Sequence, residues 1–458
     1  LQETVTPRSA LRRAAPGTPH WALVWLGSAE EPGREGEVLL VPPGRTSLVG
    51  RMPAAPDNTH LEWVQQRPGR NLGTGPLRSP QVSRAQLELS PDRDGLGLRN
   101  LGRLPLTIAG RQVDAHLATE GAVLLLGDSL AFLVTRRPVL LDGEPPEFAF
   151  GAPDPWGLVG ESPAQWALRR HVGFAGARRD HVLVQGPSGS GKEAVARALH
   201  GASARARGPW VARSAATLPE TLVEAELFGH AADYPQVGMS ARPGLVGQAD
   251  GGTLFLDEIG EMPEQAQARL LRLMDDGEYH RLGESKPRRA DVRVIGATNR
   301  PPAELKHDLL ARLGLRIVVP GLNERPEDVP LLARHLLARI GEDDTEAFRH
   351  LALGGTSIPR LHPALAARLV AHRWTTHVRE LRQVLWTAVR DGAGALLVEA
   401  ELAAPEPADD ALSPELVQAV LDKHGGAQEP AWKELGLSSR HALARLVRRH
   451  GLRVRGRA

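Results

Sequence analysis

The stretch that most constrains this chain is the apolar run Val182-Leu183-Val184-Gln185, which leads directly into Gly186-Pro187-Ser188-Gly189-Ser190-Gly191-Lys192-Glu193. An Ala/Arg/Val-rich helical pattern over 194–200 follows at once. Strand, glycine-rich loop and helix in that order form the context of a phosphate-binding P-loop. The glycines let successive backbone N–H groups point inward as an anion nest, and the helix N-terminus adds its dipole. Lys192 would reach the outer phosphates. Glu193 stands where the general pattern carries a Ser or Thr hydroxyl on magnesium. A glycine-rich surface turn is the bland alternative, and the flanking strand and helix argue against it. The pattern predicts a bound nucleotide.

At 458 residues the chain is long enough for about two to four domains. Its 41% hydrophobic and 24% charged residues are ordinary for a soluble globular protein with ample core. There is no cysteine, which excludes disulfides, thiolate metal sites and cysteine nucleophiles and fits a cytoplasmic location. The histidines show no metal-ligand spacing. The longest apolar runs, such as 122–126, are strand-length, so no membrane span is expected. Residues 1–17 hold no apolar signal segment; the missing initiator Met reads as trimming or an alternative start. Net charge is only +2, but Arg440, Arg445, Arg448, Arg449, Arg453, Arg455 and Arg457 crowd the C-terminus beside a helical pattern, which points to nucleic acid.

From 156 to about 398, apolar strands alternate with helical patterns, the signature of an α/β fold. Gly252-Thr253-Leu254-Phe255-Leu256-Asp257-Glu258 reads as a buried strand ending in two carboxylates, as magnesium-dependent phosphoryl transfer requires. Asp257 would hold the metal through a water, and Glu258 would polarise the attacking water. Val292-Arg293-Val294-Ile295-Gly296-Ala297-Thr298-Asn299-Arg300 is a further buried strand, delivering a polar Asn299 toward the γ-phosphate.

Between 20 and 137 the chain reads as short strands divided by turns, which predicts an all-β sandwich. A Pro-, Asn- and Gly-rich loop is expected over 53–80. Gly50-Arg51, Ser83-Arg84-Ala85-Gln86 and the turn 100–110 resemble elements of the forkhead-associated (FHA) domain, which implies a phosphothreonine-binding sandwich. Arg51, Ser83 and Arg84 would clamp the phosphate with charge-assisted hydrogen bonds. Gln86 replaces that family's structural His, and Pro105 or Leu106 stands where its peptide-holding Asn usually lies. A scaffold that docks a partner without reading phosphate is the alternative. Residues 138–155, rich in Pro and Gly, read as a linker.

Several ordered motifs carry a second resemblance. Leu158-Val159-Gly160-Glu161-Ser162-Pro163, Glu226-Leu227-Phe228-Gly229-His230, Asp257-Glu258-Ile259-Gly260-Glu261 and Trp374-Thr375-Thr376-His377-Val378-Arg379-Glu380-Leu381 resemble the AAA+ domain of bacterial enhancer-binding proteins. These are the activators of sigma-54 RNA polymerase. The resemblance spans 156–400, with a helical lid from about 325, and implies a ring-forming, usually hexameric ATPase using ATP and Mg2+. Glu193 is usual in that family. Val159 would border the nucleotide, and Arg379 would contact it within its own subunit. Lys306 and Arg312 would be the trans-acting fingers, Lys306 keeping the charge but losing the planar fork of arginine. Ser214 replaces the Asn that restrains the catalytic glutamate. The aligned stretch for the sigma-54-contacting GAFTGA loop is Asp233-Tyr234-Pro235-Gln236-Val237-Gly238, which lacks the Phe and Thr that make the contact. That argues against sigma-54 remodelling.

After a Pro/Ala/Asp-rich break, Ser413-Pro414-Glu415 starts a helix with an N-cap, a Pro at the first position and an acid in the first turn. Leu416, Val417, Val420 and Leu421 form its apolar face. A final helix, 440–450, turns Leu443, Leu446 and Val447 inward. The segment 412–453 resembles the Fis-like helix-turn-helix that closes many enhancer-binding proteins. It implies major-groove contacts from Ser439, Arg440, His441 and Ala444, with Arg445, Arg448 and Arg449 on phosphates. A small helical dimerisation bundle is the alternative.

The expected molecule is therefore multidomain: an FHA-like sandwich, an AAA+ P-loop ATPase and a small all-α DNA-binding end. Two functions compete. One is an ATP-dependent transcription regulator binding upstream DNA, acting on RNA polymerase with sigma-54 or without it, as activator or repressor, and answering to a phosphothreonine partner. The other is a nucleotide-gated scaffold that turns over little.

Overall fold

The computed structural model describes residues 19–52, 59–217, 222–344, 360–392, 396–397, 400, 402, 414–424, 431–432, 435, 443, 447 and 452. The chain divides into two compact units, 1–400 and 401–458.

The first unit begins with twelve short strands: β1 (His20–Ser28), β2 (Val38–Leu40), β3 (Ser47–Val49), β4 (Trp63–Arg67), β5 (Arg70–Gly75), β6 (Leu87–Pro91), β7 (Leu96–Asn100), β8 (Leu106–Ile108), β9 (Arg111–Val113), β10 (Ala115–Ala118), β11 (Val123–Leu126) and β12 (Leu130–Arg137). They form two sheets, β5-β4-β2-β1-β12-β11-β8-β9 and β10-β7-β6-β3, with antiparallel ladders throughout. The N-terminal region is thus the antiparallel β-rich body its short, turn-divided runs predict. One expectation fails. Within 53–80 lies the hairpin β4–β5, turned at Pro68-Gly69, where a loop was expected. Trp63, Val64 and Leu72 supply the β-propensity, and the glycine takes the positive φ of 71° that the tight turn needs.

Between the sheets the core gathers on Trp25, Trp63 and Phe132. Trp25 meets Trp63 edge-on at 5.0 Å, and Trp63 stacks on Phe132 at 5.1 Å. Strand β1 does not alternate: all nine residues are buried. Trp21, Leu23 and Trp25 enter the sandwich core. Ala22, Val24 and Leu26 are buried outside it, on a strand that packs against a helix of the same unit, Pro363–Ala371, which also lies on β11 and β12. At Gly27 a Cβ would meet Ala366 at 3.4 Å and Pro363 at 3.7 Å. The sandwich is therefore covered on one face by protein.

Residues 138–155 run across this junction. The Gln66 amide donates to the Pro138 carbonyl at 2.7 Å, Asn71 to that of Val139 at 2.9 Å, and the Leu141 carbonyl accepts from the Gly69 N–H at 2.9 Å.

The α/β body is a parallel five-stranded sheet in the order 210–214, 253–257, 293–298, 182–185, 315–318. Its strands read as apolar runs because helices cover both faces: Val182, Val184, Phe255, Ile295 and Ala297 join one core cluster, and Leu183, Leu254, Leu256 and Val294 the other. A helical layer follows, comprising Val329–Asp343, Pro363–Ala371 and His377–Asp391.

In the second unit, helix Pro414–Lys423 buries Val417, Val420 and Leu421 against Ala431, Leu435 and Leu443, with Val447 packed alongside. The expected DNA contacts Ser439, Arg440, His441, Ala444, Arg445, Arg448 and Arg449 lie outside the described residues. No described helix is long and apolar enough to cross a membrane.

Trp63 sits at the centre of the aromatic trio and is fully buried. Trp63→Ala is expected to cost about 3–5 kcal/mol, read as a lower urea midpoint for the transition that carries the sandwich's tryptophan fluorescence.

Candidate functional site

The P-loop lies where the parallel sheet predicts it, beyond the carboxyl end of the strand Val182–Gln185. Gly189 and Gly191 take φ of 74° and 101°, the left-handed region that glycine tolerates best. Gly189 is required for a second reason: a Cβ there would collide with the Thr376 carbonyl of the helical layer. Behind the loop, helix Lys192–Gly201 begins with its N-terminus facing the nest. Ser190 is almost fully buried, and its Oγ has no hydrogen-bond partner among the described residues. A buried hydroxyl left unpaired costs free energy unless a ligand oxygen or water meets it, so it fits a phosphate cradle.

Lys192 Nζ donates to the Gly186 and Pro187 carbonyls at 3.0 and 3.1 Å. Burial lowers its pKa, while the Asp257 and Glu258 carboxylates pull it back up. That places both acids within electrostatic reach of the P-loop amine. Glu193 points away, paired with Arg197 at 3.0 Å on an exposed face. Ser188 Oγ meets Arg379 Nη1 at 3.5 Å, and the Val378 N–H donates to the Gly189 carbonyl at 3.0 Å. Loop and helical layer are thus in direct contact.

Asp257 ends the strand Thr253–Asp257, and its Oδ1 accepts from the Glu258 N–H at 2.9 Å. Glu258 itself sits at φ 53°, a strained setting for a non-glycine residue that recurs at functional sites. Ser214, from the neighbouring strand, donates its hydroxyl to Glu258 Oε2 at 3.1 Å. The short side chain spans the gap because Ser214 and Asp257 are direct partners in the sheet register. Asn299 is exposed at the end of its strand and lines a cavity of about 500 Å³ with Gly186, Pro187, Asn323 and His377. No group of three or more His, Asp or Glu residues suited to a metal occurs among the described residues. A cation at Asp257 would therefore need oxygen ligands from a nucleotide, the usual arrangement for Mg2+.

Lys306 and Arg312 stand apart from this cluster. Lys306 pairs with Glu264 at 2.7 Å and Arg312 with Asp275 at 2.7 Å, both partners being on the helix Glu264–Asp276. Val159 is buried beside Gly160, whose φ of 131° brings the backbone against the Asp328 carboxylate.

At the expected phosphate clamp, Gly50 permits the close approach of two loops, since a Cβ there would strike the Arg84 carbonyl. The Arg51 N–H donates to the Ser83 carbonyl at 3.1 Å. Gln86 is fully buried: its Oε1 accepts from the Ser83 N–H at 3.1 Å, and its Nε2 donates to Asn100 Oδ1 and the Leu104 carbonyl. Glutamine thereby ties Ser83 to the turn 100–104. The Ser83 hydroxyl accepts from the Arg103 N–H at 3.0 Å. Arg51, Arg84 and Arg103 are exposed. Arg103 was not singled out from the sequence, because one arginine in an arginine-rich chain carries no local signal.

Comparison with known proteins gives the family. Residues 158–318 match the Sigma-54 interaction domain. The transcriptional regulatory protein ZraR of Klebsiella oxytoca is 37% identical over 315 residues, 64% of this chain and 69% of ZraR. The chain belongs to the enhancer-binding transcriptional regulators. NtrC of Escherichia coli K12, a DNA-binding transcriptional regulator, is 40% identical over 53% of this chain and 51% of its own. A solved structure of NtrX from Brucella abortus in complex with ADP is 30% identical, covering 65% of this chain and 70% of that one, with a TM-score of 0.47. As in other members of the family, the α/β body is an AAA+ P-loop ATPase domain.

Sequence reasoning on this enhancer-binding chain missed His377. It opens the helix His377–Asp391 at φ 48° and is buried. Its Nδ1 accepts from the Leu322 N–H at 3.1 Å, which only an unprotonated Nδ1 does. Burial holds the imidazole below its ordinary pKa; the Glu324 and Glu380 carboxylates oppose this, and Arg325 and Lys192 reinforce it. A histidine with a depressed folded-state pKa contributes stability above the ordinary value of 6.5 and loses it as pH falls through the lower one. The contact between loop 321–324 and the helix His377–Asp391 is therefore expected to weaken in acid. Nucleotide affinity should be flat above about pH 7 and fall below about pH 6, and His377→Asn, which keeps an acceptor but cannot titrate, should flatten the profile. Fluorescence titration with a nucleotide analogue across pH checks this.

Proposed function

We propose that this protein is an ATP-hydrolysing regulator of transcription. Its AAA+ domain works in a ring, its C-terminal segment holds upstream DNA through residues 439–449, and its sandwich is an FHA-like module that gates the ring. The observation that carries turnover, against a scaffold that only binds nucleotide, is the Ser214–Glu258 hydrogen bond at 3.1 Å. It holds the proposed base beside Asp257 and within electrostatic reach of Lys192.

The residues divide the work as follows. The P-loop N–H groups of 186–193 and Lys192 cradle the phosphates. Asp257 would hold Mg2+ through a water, and such an ion would supply positive charge against the phosphates. Glu258 polarises the water that attacks the γ-phosphorus and accepts its proton, and ADP leaves with the bridging oxygen. Asn299 orients the γ-phosphate, and Arg379 reads nucleotide within its own subunit. Lys306 and Arg312 reach the neighbouring subunit's site after giving up Glu264 and Asp275. These pairs are exposed, so each exchange costs little.

The client is where the reading leaves the family's usual one. In the segment 233–239 the Asp233 carboxylate accepts from the Gly238 N–H at 2.7 Å, and the Asp233 N–H donates to the Met239 carbonyl at 2.9 Å. Tyr234 lies against Gly283, and Val237 is 93% exposed at the tip. A braced loop presenting Val in place of Phe-Thr supports a polymerase form other than sigma-54 holoenzyme. A second reading, with sigma-54 retained, rests on family membership. Open-complex formation on a sigma-54 promoter carrying this protein's site separates them. Isomerisation that needs ATP and sigma-54 supports the second; none, with hydrolysis and DNA binding intact, supports the first.

Glu258→Gln is expected to lower kcat for ATP hydrolysis by about a hundredfold or more with nucleotide binding kept; unchanged turnover would remove the enzyme reading. For the sandwich, Arg51→Ala should abolish capture of a phosphothreonine peptide library. Equal weak capture by wild type and variant, in calorimetry, would favour a partner-docking scaffold.

A further inference from the structure

Sandwich, α/β body and helical layer meet at a buried polar knot that the proposed hydrolysis mechanism does not use. Arg67, at the end of β4, grips the Glu161 carboxylate at 2.9 and 3.3 Å and donates to the Phe148 and Ala149 carbonyls. Its guanidinium lies over the Phe148 ring at 4.6 Å. Arg137, at the end of β12, pairs with Glu327 at 3.2 Å and donates to the Glu161 carbonyl at 3.2 Å. All four side chains are nine-tenths or more buried.

Glu161 and Glu327 stand on opposite sides of the junction between the α/β body and the helical layer. Glu161 precedes the first helix of the α/β body, Pro163–Gly176, and Glu327 precedes the first of the helical layer, Val329–Asp343. The two sides are also joined directly: the Asp328 carboxylate accepts from the Glu161 and Ser162 N–H groups at 2.8 and 2.9 Å and from the Ser162 hydroxyl at 2.6 Å. Downstream, the same helical layer carries Arg379 to Ser188 of the P-loop. The packing at this junction therefore bears on how Arg379 meets the loop.

We infer that Arg67 and Arg137 of the sandwich are positioning residues for the ATP site. Arg137 spans the junction, Arg67 locks the Glu161 side of it, and together they hold the helical layer where it sets Arg379 against the P-loop. The sandwich is then a structural part of the nucleotide site. This rests on the reading that the P-loop binds ATP.

The test uses the full chain and a fluorescent ATP analogue, with KM and kcat for ATP and a thermal melt measured alongside. Arg67→Met and Arg137→Met keep the aliphatic stem and remove the grip. Each is expected to raise Kd and KM by about fivefold or more with kcat changed much less. Arg67→Lys should not rescue, because an ammonium cannot bridge a carboxylate and two carbonyls as the planar fork does. In an Arg379→Ala background, Arg67→Met should add nothing further, the non-additivity expected when one residue acts through another. Should the methionine variants fail to fold, Glu161→Gln is the second probe: it loses the charge, and its single carbonyl oxygen can accept from the Gly151 N–H or from the Trp166 Nε1–H but not from both, since these bond different carboxylate oxygens; the same rise in Kd is expected. Folded variants with wild-type Kd and KM, or an Arg67 effect that adds in full to that of Arg379→Ala, overturn the inference alone. A wild type that binds no ATP overturns the nucleotide reading and the inference with it.

Discussion

The constraint on which the first unit depends is the burial of Glu161. Its carboxylate is taken out of water, and a lone charge in that position costs several kcal/mol. The fold answers with Arg67, the Gly151 N–H at 2.8 Å and the Trp166 indole N–H at 3.1 Å. Arg67 comes from 94 residues away and the other two donors from the chain flanking Glu161, and none can shift without leaving the buried charge less satisfied. The aromatic surround has the same logic: Phe148 stacks on Trp166 at 5.9 Å with Arg67 and Arg169 over its ring, so the cations are desolvated against rings and carbonyls together. Arg169 in turn pins Asp154 and the Leu158 and Gly160 carbonyls. The edge of the α/β body is built by the same network that fastens the sandwich.

This explains why the helical layer packs on two neighbours. Val24 and its partners on β1 lie under Pro363–Ala371, Gly36 comes within 2.9 Å of Leu331 as a Cβ would see it, and Arg334 pairs with Glu35 at 2.9 Å. Apolar contact supplies the bulk of such an interface, and the ion pairs fix its register. Burial also pushes the Glu327 carboxyl up while Arg137 pulls it down, so that pair contributes geometry more than stability.

Much of the nucleotide site was legible because its chemistry is local. A P-loop, a strand ending in Asp257-Glu258 and the alternation of strands with helices each lie within a window whose backbone requirements show in residue type. The junction was not legible. Arg67 and Glu161 are 94 residues apart and Ser162 and Asp328 are 166 apart, and nothing in an arginine-rich composition marks which arginines go inside. The hairpin β4–β5 was hidden for the opposite reason, local composition rich in Pro, Asn and Gly outweighing the Trp63-Val64 pair that forms the strand. At Ser214 the sequence puts a shorter side chain where the resembled family has an Asn that restrains its glutamate. The contact is made, because adjacent strands bring the two residues together and side-chain length then matters less than register.

Three side chains at special positions each tie neighbouring segments together. Gln86 joins Ser83 to the turn at 100–104 with the carbonyl and amide of one side chain. Ser214 restrains Glu258 with a single hydroxyl. His377 accepts the Leu322 N–H from a left-handed position that a β-branched residue would resist. Each supplies a connection that the segments around the site share. The loop at 233–239 obeys a different logic. Its internal bonds brace the backbone, and Val237 makes no contribution to any core. A residue freed from packing is set by what it meets outside the chain, so at Val237 the fold itself imposes little.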